Sequence, residues 1–317
     1  MLTFSTFGKY GYSIKFSNRI PHCLAATANE SFGLSGKGTL FILQIQEGIS
    51  IDILNIKYWH ESLFDVAWSE SLPNNLITGA GDGHLQLWDI YNKDTPTAEY
   101  SGHKREISSV RWSKYRDQFI STSWDSSIKV WDLNRSSSVN TFYDNCNIIH
   151  CVCYSKCSED LFATVSENGN LKIWNSLMPM PACTLKAHDT QALYCDWNSF
   201  SRHLIATCGS DGLVRGWDIR YYTQPVFQMK DSNVPTKVLH FSPHYSNILA
   251  TGSFDFSTKI WNINDNLQPL EISQHHSEFI HGLDWNVHRK GEIAACSWDK
   301  CISVFTPTAL RNLRHKL

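Results

Sequence analysis

A repeat of nearly constant length constrains the fold of this chain more than any other feature. Seven times, a turn is followed by an apolar strand with an aromatic or polar end, most clearly at residues 81–89 and 123–132. The strands end at Leu43, Trp88, Trp131, Trp174, Trp217, Trp261 and Phe305. Successive ends lie 43 to 45 residues apart. A period of this length predicts four short strands per repeat, which is one blade of a β-propeller.

The seven repeats predict an all-β, seven-bladed propeller that spans residues 1–317 as a single domain. In the second repeat, strands are expected at 63–68, 76–80, 85–88 and 98–100, with a tight Gly-Asp-Gly turn before the third. The last repeat ends at its third strand. We therefore expect the N-terminal segment, residues 2–7, to supply the outer strand of the last blade and to close the ring without exposed sheet edges.

The composition is that of a packed globular protein, with 42% hydrophobic and 18% charged residues. The formal net charge of −2 gives no basic footprint for nucleic acid. The ten cysteines show no disulfide-framework spacing and are interpreted as reduced thiols. The sequence shows neither a signal peptide nor an apolar run long enough to span a membrane, so the prediction is a cytoplasmic protein that is not membrane-spanning.

A His and an Asp recur at fixed distances before the Trp of several repeats. Because a buried carboxylate needs hydrogen-bond donors, and the N–H groups of His and Trp can supply them, the pattern predicts buried polar networks. The predicted sets are His60, Asp82 and Trp88, then His103, Asp125 and Trp131, and then His188, Asp211 and Trp217. The fourth and sixth repeats lack the His, and their blades are expected to rely more on apolar packing.

Catalytic motifs are missing from the sequence. It contains no Gly-rich phosphate loop, no His-Glu-x-x-His and no Gly-x-Ser-x-Gly, so neither an enzyme nor a cofactor is predicted. One cluster resembles a metal site, namely Cys146, His150, Cys151, Cys153 and Cys157. It lacks a Cys-x-x-Cys pair and falls on the predicted innermost strand of its blade, where Cys is a small buried apolar residue. No metal is predicted.

The phase of the repeat predicts one binding face, at the end of the ring where the innermost strands begin. Three carboxylates, Asp65, Glu106 and Glu278, and three aromatic residues, Trp124, Phe254 and Trp298, are expected there. Carboxylates beside exposed aromatic rings suit a peptide that carries both a basic and an apolar side chain.

The recurring His, turn Asp and Trp resemble the WD40 repeat. Several strings along residues 10–307 are similar to a narrower group, the WD40-repeat receptor family for the type-2 peroxisomal targeting signal (the peroxin-7 family). They include residues 63–70, 215–220, 224–227, 275–279 and 296–299. A general WD40 consensus explains the Trp-Asp ends, but not Arg-Gly-Trp-Asp at 215–218 or His-His-x-Glu-Phe at 275–279.

This resemblance implies an import receptor that shuttles between the cytoplasm and the peroxisome matrix. Its cargo would carry an N-terminal nonapeptide with Arg or Lys and Leu near the start, and His or Gln and Leu or Ala near the end. A co-receptor and a docking complex at the peroxisomal membrane are the implied further partners. The signal is expected to lie as an amphipathic helix across the binding face, with its basic residue at the carboxylates and its Leu residues on the aromatic rings.

A second interpretation rests on residues 217–220. Trp217-Asp218-Ile219-Arg220 has the Trp-Asp-x-Arg form with which some WD40 proteins dock onto a cullin ubiquitin-ligase adaptor. A short motif of this kind also arises as a repeat end followed by a surface Arg. A ligase substrate adaptor therefore remains the alternative function.

Overall fold

The structure is a computed structural model that describes residues 1–46, 48–92, 94–144, 148–265 and 268–313. Its strands form seven antiparallel sheets of four strands each. This arrangement confirms the predicted all-β, seven-bladed propeller. A turn of 3-10 helix lies at Ser31–Gly33, and the α-helix α1 at Thr308–Leu313. In the described ranges, no helix is long and apolar enough to cross a membrane.

The first strand of the chain precedes the blades, and each of blades 1 to 3 then takes four consecutive strands. The first strand is β1 (Leu2–Ser5). Blade 1 contains β2 (Tyr10–Phe16), β3 (Cys23–Asn29), β4 (Gly38–Gln46) and β5 (Ser50–Trp59). Blade 2 contains β6 (Leu63–Trp68), β7 (Asn75–Ala80), β8 (His84–Asp89) and β9 (Ala98–Ser101). Blade 3 contains β10 (Ile107–Trp112), β11 (Gln118–Ser123), β12 (Ser127–Asp132) and β13 (Asn140–Tyr143).

Blades 4 to 6 repeat this order, and the last blade has three strands of its own. Blade 4 contains β14 (Ile149–Tyr154), β15 (Leu161–Ser166), β16 (Asn170–Asn175) and β17 (Cys183–Lys186). Blade 5 contains β18 (Ala192–Trp197), β19 (Leu204–Gly209), β20 (Leu213–Asp218) and β21 (Phe227–Lys230). Blade 6 contains β22 (Thr236–Phe241), β23 (Ile248–Ser253), β24 (Thr258–Asn262) and β25 (Glu271–Ser273). Blade 7 contains β26 (Ile280–Trp285), β27 (Ile293–Ser297) and β28 (Cys301–Phe305).

Strand β1 supplies the fourth strand of blade 7, as the sequence predicts. It pairs antiparallel with β28, from Leu2 opposite Val304 to Ser5 opposite Cys301. One residue further on, the backbone N–H of Thr6 donates to the carbonyl of Lys300 at 2.9 Å. The two ends of the chain therefore share one sheet, and the ring is closed by hydrogen bonds rather than by a covalent link.

Each innermost strand contains a β-bulge close to its start. In all seven, the pairing with the second strand skips one residue. A bulge leaves the extra residue unpaired and re-aims its side chain. The skipped residues, which we call the bulge ring, are Tyr12, Phe64, Ser108, His150, Leu193, Lys237 and His281.

The Trp near the end of each central repeat anchors its blade through one hydrogen bond. In blades 2 to 6, the indole N–H donates to a Ser or Thr hydroxyl of the second strand at 2.8–3.0 Å. The donors are Trp88, Trp131, Trp174, Trp217 and Trp261, and the acceptors are Thr78, Ser121, Thr164, Thr207 and Thr251. These indoles are buried, so each large ring contributes apolar burial while its polar atom stays paired.

In blade 3 a buried His extends the hydrogen bond between Trp131 and Ser121 into a series of hydrogen bonds. The ring nitrogens of His103 lie 2.7 Å from the Ser121 hydroxyl and 3.1 Å from the Asp125 carboxylate. Asp125 also accepts from the backbone N–H of Lys104 and from Ser127. Burial by itself would raise the pKa of Asp125, but these hydrogen bonds outweigh it and lower the pKa well below its usual range.

Blades 5 and 7 contain the same kind of hydrogen-bond series. His188 bridges Thr207 at 2.9 Å and Asp211 at 2.9 Å. His276 lies 2.8 Å from Asp299, and its other ring nitrogen lies 2.8 Å from the Ser303 hydroxyl of the third strand.

The expectation that blades 4 and 6 rely on apolar packing is wrong. At the position of the missing His, each blade has a buried Asp that pairs with a Lys of the third strand. Asp144 accepts from Lys172 at 2.5 Å. Lys259 lies 3.4 Å from the Asp231 carboxylate and 2.5 Å from the turn residue Asp255. A buried carboxylate requires a compensating charge, so the Lys replaces the imidazole as its partner.

His60 departs from its predicted role in blade 2. Its side chain is 67% exposed, and although one ring nitrogen lies 3.2 Å from Asp82, it does not reach into the blade. The preceding residue takes its place, since the indole N–H of Trp59 donates to Asp82 at 2.9 Å. The Trp59 ring also packs edge-on against Trp88 at 6.4 Å. A large indole fills the space that an imidazole fills in blade 3.

Deletion of residues 1–7 is expected to destabilise the protein by at least about 2 kcal/mol, because it removes the β1 ladder and the half-buried side chains of Leu2 and Phe4. It also exposes the edge of β28, so we expect self-association. Urea unfolding and gel filtration measure the two effects. The control is Thr3→Ala, which keeps the ladder and changes an exposed side chain. An unchanged unfolding midpoint in the deletion variant would show that β1 does not close the ring.

Asp125→Asn is expected to be about 2 kcal/mol less stable than the parent at pH 7, because charge-assisted hydrogen bonds to the carboxylate are lost. The folded pKa of Asp125 lies below its unfolded value of about 3.9, so its contribution is complete above that pH and is lost as the pH falls. The stability difference should therefore narrow below about pH 4. Denaturant titrations between pH 7 and pH 3 measure it, with the exposed Asp117→Asn as control. A gap independent of pH would contradict this assignment.

Candidate functional site

Two cavities open at opposite ends of the central channel. The upper face is the end at which the innermost strands begin, and the lower face is the end at which they finish. The upper cavity has a volume of about 360 Å³, and all seven residues of the bulge ring line it. The lower cavity, about 430 Å³, is lined among others by Trp68, Trp112 and Trp285 near the strand ends.

A hydrogen-bonded set of charged residues lies in the channel between the two cavities. Arg111 donates to Asp65 at 2.6 Å and, through its other terminal nitrogen, to the Tyr194 hydroxyl. That hydroxyl lies 2.9 Å from His240, which lies 2.8 Å from the Lys15 ammonium. The Arg111 and Lys15 charges help to hold the pKa of Asp65 below its usual range, although burial alone would raise it. These contacts join blades 1, 2, 3, 5 and 6 across the axis.

Asp65 belongs to this interior set and not to the upper surface, which corrects the prediction that it meets a ligand. Only 6% of the residue is exposed. Besides Arg111, it accepts from the hydroxyls of Ser13 and Ser109 and from the backbone N–H of Val110 at 2.9 Å. The physical reason is the bulge in β6, because the extra residue moves Phe64 into the ring and turns Asp65 towards the neighbouring blade.

Glu106 and Glu278, the other two predicted carboxylates, stay accessible but lie in different surroundings. Glu106 lines the upper cavity, and its side chain is 32% exposed. Its nearest cation is Arg105, at 3.5 Å. Glu278 is exposed and does not line the cavity; its carbonyl accepts from the Ser297 hydroxyl. Of the three, Glu106 is therefore the carboxylate that can meet a ligand at the mouth of the cavity.

Trp124 stands beside Glu106. Its backbone N–H donates to the Glu106 carbonyl at 3.0 Å, so the two side chains share one edge of the cavity. The Trp124 ring is stacked with Phe64 at 6.5 Å, and the Arg105 guanidinium lies 5.8 Å from its centre. A carboxylate and an indole at one mouth can hold a basic group and an apolar group together.

Phe254 and Trp298 belong to a second aromatic group at the same end of the ring. Trp298 stacks on His281 at 4.5 Å, with an angle of 10° between the ring planes, and Phe254 lies 5.3 Å from the same imidazole. Neither residue lines the upper cavity, and both reach it through His281. Phe279 completes the stack at 4.4 Å from Phe254.

The sequence interpretation missed several aromatic members of this surface. Phe32 lies 5.2 Å from Trp298, and Tyr10 stacks on Phe32 at 3.8 Å. Tyr12 lies 5.3 Å from Phe64 and 5.0 Å from His281, so it joins the two groups. Phe32 comes from the loop after β3, and no repeat phase predicts it. Phe64 could have been found from the bulge position common to all seven repeats.

Apart from His150, which belongs to the bulge ring, the remaining sequence candidates lie away from this surface. Cys146 is outside the described residues; Cys151 and Cys153 are buried free thiols, and Cys157 is an exposed one. Within the described ranges, no group of three or more His, Cys, Asp or Glu side chains could hold a metal ion. Arg220 follows the end of β20, near the lower face, where its guanidinium donates to Asp218 at 2.7 and 3.0 Å and is 55% exposed.

Comparison with known proteins gives a matching repeat family and several similar receptors. The family model described as "WD domain, G-beta repeat" matches residues 94–132, 136–175, 180–218, 226–262 and 267–306. The sequence is 36% identical over 305 residues to the peroxisomal targeting signal 2 receptor of Mus musculus, covering 96% of each chain. The receptor of the same name from Homo sapiens is also 36% identical, over 96% of this chain and 94% of the relative. That of Saccharomyces cerevisiae is 29% identical, over 94% and 97%.

Proposed function

This chain belongs to the WD40-repeat family of peroxisomal targeting signal 2 receptors, and we propose that it binds the N-terminal type-2 targeting signal of cargo proteins on its upper face. Together with a co-receptor, it delivers that cargo to the peroxisome matrix. WD40 propellers generally bind rather than catalyse, and the named relatives are receptors, which supports a binding role.

The observation that carries the proposal is the pairing of Glu106 with Trp124 at the mouth of the upper cavity. The signal of this family contains a basic residue next to a Leu, and on a helix the other apolar motif residue returns to the same side two turns later. Glu106 offers the basic residue a carboxylate that is 32% exposed and only loosely paired. Trp124 offers the neighbouring Leu an indole face.

The second apolar residue of the signal would lie on the aromatic group of Phe254, Trp298 and Phe32. The centres of these rings and of His281 and Phe279, which connect them, lie 4.5 to 5.6 Å apart, and so present a continuous apolar surface. Aromatic anchors of this kind contribute most of the affinity at peptide interfaces. Glu278, at the edge of this group, is available to a basic side chain outside the motif.

The proposed partners follow from this role. They are cargo proteins with a type-2 signal, an import co-receptor and the docking complex at the peroxisomal membrane, and the receptor shuttles between the cytoplasm and the peroxisome matrix. The ligase-adaptor interpretation has less support, because the Arg220 guanidinium is already paired with Asp218 of its own motif.

The proposal is tested directly by the binding of a labelled type-2 signal peptide to the purified chain. Fluorescence anisotropy measures this binding with and without co-receptor. We expect binding that depends on the basic residue of the peptide. A peptide in which that Arg is changed to Ala is the control. If the parent peptide does not bind even with co-receptor present, the chain is not a receptor for this signal. Capture of a cullin adaptor that depends on Arg220 would then favour the alternative function.

Glu106→Gln is expected to weaken binding of the signal peptide about tenfold or more. A charge-assisted hydrogen bond contributes roughly 1.5–3 kcal/mol, and 1.4 kcal/mol is a factor of ten. The matched control is Glu99→Gln, the same change at an exposed position on the outer strand of blade 2. Asp65 is unsuitable for this test because its replacement disturbs the interior network. Equal affinity of the Glu106 variant and the parent would remove Glu106 from the site.

Trp124→Ala is expected to weaken binding by a similar factor, because a Trp at the centre of a peptide interface commonly contributes 2 kcal/mol or more. The loss should be smaller for a peptide whose first Leu is already changed to Ala, since the two changes remove one contact. Tyr143→Ala, on the outer strand of the same blade, is the control for loss of an exposed aromatic ring. Additive losses from the peptide and protein changes would show that this Leu does not contact Trp124.

A further inference from the structure

The bulge ring is chemically divided into two arcs. Tyr12, Phe64 and Ser108, in blades 1 to 3, adjoin the aromatic surface and Glu106. The other arc carries His150, Lys237 and His281, in blades 4, 6 and 7, with Leu193 between them. Both arcs line the same cavity, so a group that enters it meets apolar rings on one side and nitrogen donors on the other.

Three imidazole nitrogen atoms of the second arc are buried without partners. Nε2 of His150 and both ring nitrogens of His281 have no hydrogen-bond partner among the described residues. Buried polar atoms are nearly always paired, so three unpaired atoms around one cavity need a ligand or ordered water to complete them. Burial lowers the pKa of both imidazoles, and the Lys237 charge lowers it further; the pKa of His150 falls to about 3. Each ring is therefore neutral near pH 7 and has one N–H to donate.

Lys237 is the cation of this arc, and its charge is not balanced locally. The upper cavity has two lysines in its lining, Lys15 and Lys237. Lys15 lies 3.4 Å from Asp284 and 2.8 Å from His240. No carboxylate of the described residues lies within ion-pair distance of Lys237, and burial lowers the pKa of its ammonium group. An ammonium in this position is costly unless an anion enters the cavity beside it.

The charge of the lining limits which anion fits. Asp65 and Glu106 also line the cavity, and Asp65 is already neutralised by Arg111. Glu106 remains as a negative charge at the mouth, so a dianionic phosphate would be repelled more strongly than a singly charged group. One ammonium and two neutral imidazoles match the four lone-pair sites of a carboxylate.

We propose that His150, Lys237 and His281 form a carboxylate-binding site inside the upper cavity, which receives a Glu side chain from the peptide that lies across the upper face. The site rests on the proposed function, because it assumes that a signal peptide crosses the mouth of the cavity. It adds a specificity element to the signal: an acidic side chain at an internal position, pointing into the ring, strengthens binding.

The test is a set of signal peptides that vary the internal positions, which lie between the Arg–Leu pair near the start and the His–Leu pair near the end. One position at a time carries either Glu or its neutral isostere Gln. Anisotropy with the purified chain should show one position at which Glu binds about tenfold tighter than Gln. Lys237→Met should abolish that preference and leave the affinity of the Gln peptide nearly unchanged. Lys230→Met, at an exposed position on β21, is the matched control and should keep the preference.

The outcomes separate the two proposals. If the peptides bind but no position prefers Glu by more than about twofold, the carboxylate site is wrong and the receptor proposal stands. If no peptide binds, the receptor proposal is wrong, and the carboxylate site is then tested by the binding of a free carboxylate. Isotope-labelled acetate, compared with chloride at equal ionic strength, should then show line broadening with the parent protein but not with Lys237→Met. Equal broadening with both would overturn the carboxylate site.

Stability provides an independent measurement. Without ligand, Lys237→Met should raise the midpoint of thermal unfolding, because it removes a partly desolvated ammonium that has no carboxylate within ion-pair distance. A lower midpoint would show that Lys237 is satisfied in the free protein and would contradict the proposal. Lys230→Met should leave the midpoint unchanged.

Discussion

The hydrogen-bonded pairing of β1 with β28 is the interaction on which the rest of the structure depends. Neighbouring blades touch through apolar faces, and such contacts alone would leave β28 as an exposed sheet edge in blade 7. The four paired positions from Leu2–Val304 to Ser5–Cys301 bring the N-terminus into the last blade and close the ring. Only a closed ring has a channel, two faces and a fixed distance between residues of blade 1 and blade 7.

Closure also determines how the channel is filled. Seven innermost strands meet around the axis, and their polar side chains must find partners there. Three aspartates each find a partner in the next innermost strand, because their carboxylates accept a backbone N–H there. The N–H of Val110 donates to Asp65, that of Phe241 to Asp196 and that of Phe16 to Asp284. These bonds connect one blade to the next, and together with Arg111 and Lys15 they separate the upper cavity from the lower one.

Much of the fold can be predicted from the sequence, because a strand Trp and a turn Asp recur with a constant period. The predicted strand positions in blade 2 match β6 to β9 to within one or two residues at each end. The hydrogen-bonding chemistry is less predictable. Blades 4 and 6 replace the His with Asp144 and Asp231, whose Lys partners lie about 28 residues further along the chain and show no motif. Trp59 replaces His60 as the partner of Asp82, and its ring packs edge-on against Trp88.

The candidate site could be predicted from the sequence only in part. By itself, the sequence determined the number of blades, the strand that closes the ring and the end of the ring at which Trp124, Phe254 and Trp298 lie. Those properties are periodic, and a period is visible without coordinates. The tertiary structure decided which residues of each repeat face the channel. A one-residue bulge in each innermost strand turns Phe64 inwards and Asp65 sideways, and brings Lys237 together with two imidazoles from blades 4 and 7. A bulge depends on pairing between strands, and contacts across the axis exist only after all seven blades have closed.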